Sequence, residues 1–436
     1  MACAVALGGG QPCGRPLYDG ETCIFHSTRV DKDCGLFEKE FAVLLDEDHR
    51  HDCSGFIFPE KVRALDGQAF PGDISFRQAI FLGAGVFVRV QFAGKADFTG
   101  AQFSRADFTE VQFAGPAVFS RCQFMGEARF VGARFQDTVT FHGARFAGPA
   151  SFAQARVSGR ADFSRSEFAA PAQFTGARFR AGVNFTSTQF HFKVTFSRAR
   201  FADEAYFSET RFPSVDECHS ETGGDMTEVS FERPDKVLFY LIDAGRMSFL
   251  KTHLRRVDFK DVTWGRRKNG RTALWDELRP ERVKDYAELA RLYGQLRNNF
   301  EKEENHRAAA DFRYGQMEMR RLRAGTGGAI SLFLQRHCSL LACYKWLSDY
   351  GENPKRAGMW MFGVVIGFAA LFSAGGFATP AGFADSLQMS VAAFMLQGEL
   401  VATPLSIFGR WLVLLEGILG PVLIVVWAMA AARSLR

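Results

Sequence analysis

A ladder of phenylalanines runs from about Phe76 to Phe212, and no other feature restricts the fold as strongly. Through Phe130, Phe135, Phe141, Phe146 and Phe152 the spacing alternates five and six residues, and it continues at Phe163, Phe168, Phe174, Phe179, Phe185 and Phe190. Two places before these rings sit small or β-branched residues such as Ala128, Ala133, Val139, Ala144 and Ala150. An amphipathic helix needs apolar neighbours three and four apart, and a long strand needs strict alternation, so neither gives this pattern. A solenoid does. If about five residues make one side of a coil, the small residue and the phenylalanine point inward while polar residues turn the corner. Stacked coils then lie ~4.8 Å apart with main chain paired to main chain. So regular a supply of large apolar side chains is also what disordered chains lack.

These residues resemble the pentapeptide-repeat family, whose units read roughly Ala-Asp-Leu/Phe followed by two polar residues; Ala-Asp-Phe ends here at Phe98, Phe108 and Phe163. The resemblance implies an all-β, right-handed quadrilateral β-helix. The six-residue steps depart from the family's five, which predicts coils of ~22 rather than ~20 residues, with the extra corner residues acting like bulges. Strand-like sequence begins at Ser54 to Phe58, and Phe249, Leu254, Phe259 and Trp264 recur at five, so the solenoid is expected over 53–266 with a loop insertion at 213–236. Cys218 and His219 lie in that loop. Adjacent residues on a strand face opposite ways, so they do not form a nucleophile and base, and no enzyme is expected.

From Arg77 to Arg211 there are seventeen Arg and Lys against ten Asp and Glu. A topoisomerase-binding DNA mimic needs an anionic surface, which this excess argues against. Base-stacking and recognition motifs are also missing, so no nucleic-acid partner is expected.

Residues 1–52 form a Cys/His head. Cys3, Cys13, Cys23 and His26 offer three thiolates and one imidazole, a valid tetrahedral set for a structural Zn²⁺, with Cys23 and His26 on one knuckle. The alternative is unligated cysteines in a flexible segment; Cys34, His51 and Cys53 are spare candidates. Nine cysteines, odd in number and unevenly spread, do not suggest a disulfide framework, and a reducing compartment is expected. Met1 to Gly10 lacks the basic and apolar regions of a signal peptide.

Past Arg266 the period changes to helical. Val283, Tyr286, Leu289, Tyr293, Leu296 and Phe300 share one face, a second helix is expected over Asn305 to Arg323, and a third over about Ile330 to Asp349. Residues 267–350 are therefore read as a cytosolic helical cap or linker, its first two helices sealing the solenoid's open end. The third helix either completes the cap or lies at a membrane interface.

Residues 351–436 read as a membrane domain. Ala357 to Phe377 is free of charge and long enough for one ~30 Å crossing. Trp411 to Ala432 is a second such stretch, broken only by Glu416. Lys355, Arg356, Arg433 and Arg436 flank the outer ends of the pair, which predicts cytosolic N- and C-termini and a multi-pass plasma (inner) membrane protein. Between the spans Phe383 to Leu396 reads as a short helix. Span, short helix, turn, span is a pore-loop layout, since irregular backbone at membrane depth is tolerated only when buried or lining a cavity.

Ser390-Val391-Ala392-Ala393-Phe394, Pro404, Gly409-Arg410 and Leu415-Glu416-Gly417 are similar to the two-transmembrane potassium-channel-like family, from pore-helix end to second span. The resemblance implies a re-entrant pore helix and a tetramer. The filter differs, reading Leu396-Gln397-Gly398-Glu399-Leu400-Val401 where the family has Thr-Val/Leu-Gly-Tyr-Gly-Asp. Without that carbonyl cage potassium selectivity is not carried over, whereas rings of Gln397 and Glu399 would favour hydrated cations. Leu396, Gln397, Gly398 and Glu399 are thus the expected selectivity region. Glu416 is expected as a buried strut behind it, and Gly417, Gly420 and Pro421 as either a gating hinge or a tight packing site. The function expected is a weakly selective cation channel gated through a cytosolic solenoid. The alternative is a non-conducting membrane-anchored scaffold that recruits a protein partner, whose identity the sequence does not give.

Overall fold

The computed structural model describes the chain except residues 1, 6–11, 30, 48–50, 61–64, 214–222, 280–284, 324–332, 335, 380, 397–404 and 435–436. It divides into two compact units, Met1–Lys284 and Asp285–Arg436.

The first unit is a four-faced parallel solenoid whose longest face stacks ten two- to four-residue strands. Its register bears out the expected coil length: Ala117 pairs with Val139, Val139 with Ala161 and Ala161 with Val183, each step being 22 residues. Two kinds of corner account for the alternation of five and six. The five-residue step closes a turn such as Ala133 N–H to Phe130 C=O, with Gly132 in the left-handed region that the third residue of a type II turn requires. At the six-residue step coils approach closely; a Cβ on Gly148 would lie 2.4 Å from the Gly126 carbonyl carbon.

The interior is a set of phenyl columns. Phe119, Phe141 and Phe163 stack face to face at 4.9 Å, and Phe141 meets Phe130 and Phe152 edge-on at 5.2 Å. Both are favourable aromatic geometries. Most two-residue strands present one inward and one outward residue, and the outward Arg134, Arg156, Arg178 and Arg200 lie in register on one face, all exposed.

The head is not separate from this unit. A helix that periodicity did not suggest, α1 (Cys34–Glu47), buries Phe37 and Phe41 against Phe58, covering the first coil. Coiling starts at His51–Asp52, which pairs with Ile74–Ser75. The expected loop over 213–236 is shorter than the sequence suggests, because Gly224–Asp225 and Ser230–Phe231 are solenoid strands. There Gly224 stands in the alanine place and buried Met226 in the phenylalanine place, so the pattern continues in disguise. Glu217, Cys218 and His219 lie outside the described residues. After the last parallel strand, Asp258–Lys260, an antiparallel pair (Gly265–Arg266 with Thr272–Ala273) and the one-turn helix α2 (Trp275–Leu278) follow. Buried Asp276 of α2 accepts from Ser248 Oγ at 2.7 Å and from Phe249 N–H at 3.0 Å, fixing α2 on the coil.

The second unit is helical. α3 (Tyr286–Lys302), capped by Asp285, and α4 (His306–Arg323) form the expected antiparallel hairpin, but they cluster with this unit. The third helix differs from its expected range. It is α5 (Leu340–Ser348), begun afresh because Ser339 accepts from Ala342 N–H as an N-cap. α6 (Pro354–Leu371) runs into a π-helical segment, Phe372–Gly376, and is followed by α7 (Phe383–Phe394) and α8 (Ile407–Ser434).

One carboxylate joins α4 to α5 and the turn after it. Glu318 accepts from Arg321 at 2.6 Å, Lys345 Nζ at 2.9 Å and Tyr350 Oη at 2.8 Å. Burial alone would raise its pKa, but these three donors outweigh burial and hold it at about 2, against 4.5 for a free glutamate. A carboxylate depressed in the folded state contributes stability above its unfolded pKa and loses it as pH falls toward the folded one. Glu318→Gln should therefore cost roughly 2 kcal/mol near neutrality. In thermal melts the gap between the proteins should close as pH is lowered from about 4.5 toward 2.

Candidate functional site

The sequence pointed to two sites, and the structure assembles one of them outright. Near the N-terminus Cys3 and Cys13 lie on facing backbone segments, where Cys3 N–H donates to Arg15 C=O and Cys13 N–H to Val5 C=O. A tight turn, with His26 and Ser27 N–H groups on the Cys23 carbonyl, brings Cys23 and His26 to the same point. The ligand atoms of Cys3, Cys13, Cys23 and His26 all lie within 4.8 Å of one another. Cys13 Sγ and Cys23 Sγ are 3.6 Å apart, Cys3 Sγ is 3.6 Å from His26 Nδ1, and Cys23 Sγ is 3.2 Å from it. A tetrahedral ion with ~2.3 Å sulfur and ~2.0 Å nitrogen bonds would have edges of about 3.8 and 3.5 Å, so the four atoms are spaced for one metal. The sulfur separation also excludes a disulfide, whose bond is ~2.05 Å.

The surroundings support ligation. His26 Nε2 lies 3.3 Å from the Ser54 carbonyl; donating there leaves the Nδ1 lone pair free for the ion. Burial pushes the Cys23 thiol up to about 12 and lowers the His26 imidazole. Cys34, His51 and Cys53 do not join the group; Cys53 is fully buried and His51 lies in the first strand pair.

The second site is the helical unit that ends the chain. Pro354–Gly376 and Ile407–Ser434, 23 and 28 residues, are long and apolar enough to cross a bilayer. Much of their surface is apolar and outward, with Met359, Phe362, Ile407 and Trp411 each more than 60% exposed. They are joined at both ends. At one, Arg433 donates to Tyr344 Oη and the Tyr350 carbonyl, both at 3.1 Å, and Arg356 pairs with Asp349. At the other, Ser406 N–H donates to the Gly376 carbonyl and Phe377 bridges Leu405.

Between these helices sits α7. The Ser390 hydroxyl donates to Glu416 Oε1, with the Val365 carbonyl of α6 at 2.8 Å as an alternative acceptor. One turn on, the Phe394 carbonyl meets Gly420. Both pairings have the same offset, so α7 runs parallel to α8, and its C-terminus reaches Gly420, the fourteenth of the 28 residues of α8. Glu416 is fully buried, and its Oε2 has no hydrogen-bond partner among the described residues.

α8 is one continuous helix through Gly417, Gly420 and Pro421. A Cβ at Gly420 would stand 2.2 Å from the Phe394 carbonyl oxygen, whereas at Gly417 it would meet the movable Leu396 side chain at 3.3 Å and the Ala393 carbonyl oxygen at an ordinary contact distance of 3.7 Å. Gly420→Ala is therefore expected to cost about 1–3 kcal/mol by forcing α7 off α8. Gly417→Ala should cost much less, and melting of the two variants in detergent compares them directly. Leu396, two residues past the end of α7, has a left-handed φ of 57° and is exposed. Gln397, Gly398 and Glu399 lie outside the described residues, as does Pro404.

Sequence reading missed the Glu318 network, and a basic cavity beside it between α4, α5 and α6. The only signal was the density of Arg and Lys from Arg320 to Arg356.

Comparison with known families matches residues 98–145, 130–178 and 141–189 to pentapeptide repeats (9 copies). No curated protein and no solved structure matches the chain.

Proposed function

We propose that this protein is a tetrameric, weakly selective cation channel whose pore is built from α6, α7 and α8 and whose gate is coupled to a cytosolic pentapeptide-repeat solenoid. One observation carries the reading. α7 is too short to cross, ~18 Å against ~30 Å, yet it packs between two spanning-length helices with its C-terminus halfway along α8. A helix that ends there aims the negative end of its dipole at the middle of the membrane, where a cation is otherwise poorly solvated. Gln397 and Glu399, next in the chain, would form amide and carboxylate rings around a fourfold axis and admit cations in a hydrated state. Leu396 would narrow the pore. Glu416, held by Ser390, would brace α7 from behind, and Gly420 would keep the brace close.

Lys355, Arg356 and Arg433 lie at the end of the two helices near Asp349 and Tyr350, which favours that end as cytosolic in a plasma (inner) membrane. The solenoid is then cytosolic as well. The four-ligand cluster in the head would hold a Zn²⁺ in a closed, structural site, since all four positions are filled by protein.

A second reading keeps the membrane unit as an anchor and gives the solenoid's basic face a protein partner; the in-register arginines favour it. Cation flux from vesicles containing the purified protein, together with cross-linking, separates the two. Flux with a four-step cross-linking ladder supports the channel. A monomer without flux rejects it, because a pore needs closed rotational symmetry.

A further inference from the structure

A cavity of about 640 Å³ opens between α4, α5 and the start of α6. Arg321, Arg336, His337, Lys345, Trp346 and Arg356 line it. Four permanent cations here face two carboxylates: Glu318 is shared by Arg321 and Lys345, and Asp349 takes Arg356. That leaves a surplus of two positive charges. Arg336 carries the clearest vacancy, because its Nε is buried with no hydrogen-bond partner among the described residues. A guanidinium without its acceptor in a basic cavity is a site for an oxyanion that takes two parallel N–H bonds.

The cavity has an apolar rim. Ala342 and the outward Trp346 line it, Trp346 meets Trp360 of α6 with ring centroids 4.1 Å apart and planes tilted, and exposed Phe333 packs on the lining residue His337 at 4.7 Å. Tryptophan at the start of a span marks the headgroup level of a bilayer. From there exposed Met359 and Phe362 continue the apolar surface along α6. A free phosphate would use the arginines but gain nothing from this rim, whereas a lipid would use both.

We propose that this cavity binds the phosphate of an anionic phospholipid, with Arg336 and Lys345 on the headgroup and the acyl chains along Trp346 and α6. The inference rests on the membrane reading of α6 and α8. Lipid bound there would touch α4, α5 and the first span together, so it is placed to tie the helical hairpin to the pore.

The test uses the full-length protein in detergent, titrated with dioctanoyl phosphatidic acid, dioctanoyl phosphatidylcholine or inorganic phosphate and read by native mass spectrometry. Phosphatidic acid should bind about tenfold more tightly than phosphatidylcholine, and Arg336→Gln should remove about that factor. Arg336→Lys, which keeps the charge but not the paired donors, should fall between wild type and Arg336→Gln, and unchanged melting temperatures show that both variants fold. Equal binding of the two lipids, or full binding by Arg336→Gln, overturns the proposal. Inorganic phosphate binding as tightly as phosphatidic acid overturns the lipid assignment. Flotation with phosphatidylcholine vesicles reports separately on the membrane reading. A protein that floats with them but shows no anionic preference loses this site and keeps its spans.

Discussion

Truncating Phe141 to alanine is expected to destabilise the solenoid by about 3–5 kcal/mol. The ring is fully buried, stacked at 4.9 Å on Phe119 below and Phe163 above, and wedged edge-on against Phe130 and Phe152. Collapse around the gap is hindered because every neighbour is held by main-chain pairing to the coils on either side, Val139 to Ala117 and Ala161 among them. In a solenoid each coil contacts only its neighbours, so the damage should be local before it is global. Limited proteolysis should cut first near residues 119–163, and the thermal transition should broaden as well as shift. Met125→Ala makes the matched control. That side chain is 60% exposed at a corner, and its loss should change stability by less than ~0.5 kcal/mol.

Emptying the proposed metal site should be as severe for the head as Phe141→Ala is for the coil. With an ion bound, Cys3, Cys13, Cys23 and His26 tie three chain segments together. Without it two buried thiols and the half-buried Cys13 thiol face one another, and charging the Cys23 thiol is opposed by burial. Structural zinc sites contribute ~10–16 kcal/mol of apparent binding energy in isolated peptides. Here Phe25, stacked at 4.6 Å on Phe56, retains part of the fold. The expected result is about one zinc per chain by elemental analysis. Chelation or Cys23→Ser should then give rapid proteolysis within residues 2–29 while the β-sheet circular dichroism of the solenoid persists. A metal-free protein whose head resists protease equally well would remove the site.

The phenylalanine period made the solenoid legible, because a 22-residue coil repeats the same inward positions and each repeat confirms the last. Gly224-Asp225-Met226 escaped the pattern since glycine and methionine stand in for alanine and phenylalanine while doing the same packing. α1 escaped because Phe37 and Phe41 cover the end of a coil in a single short helix, so no repeat announces them. The four-ligand cluster was legible as residue types, but its convergence depends on the backbone pairing of the Cys3 and Cys13 segments and on the turn at Cys23, which no spacing rule supplies. In the second unit the two helices of spanning length and the short helix between them were legible from hydropathy. The Ser390–Glu416 contact and the seat of Phe394 on Gly420 were not, because they join residues 26 apart through helix packing alone. Arg336 and the cavity beside it carried no motif, since a binding site made of arginines from three elements looks in sequence like ordinary solvated charge.

Single-channel recording from the purified protein in a planar bilayer, wild type against Glu399→Gln, tests the channel reading most directly. Wild-type protein should pass discrete cation currents with little discrimination between sodium and potassium. Glu399→Gln should lower the cation-over-anion preference in the reversal potential while the melting temperature stays unchanged, because removing a ring of carboxylates removes the field that selects cations. Wild-type membranes that stay silent under voltage and tension would contradict the channel, and a reversal potential unmoved by the substitution would contradict the role given to Glu399.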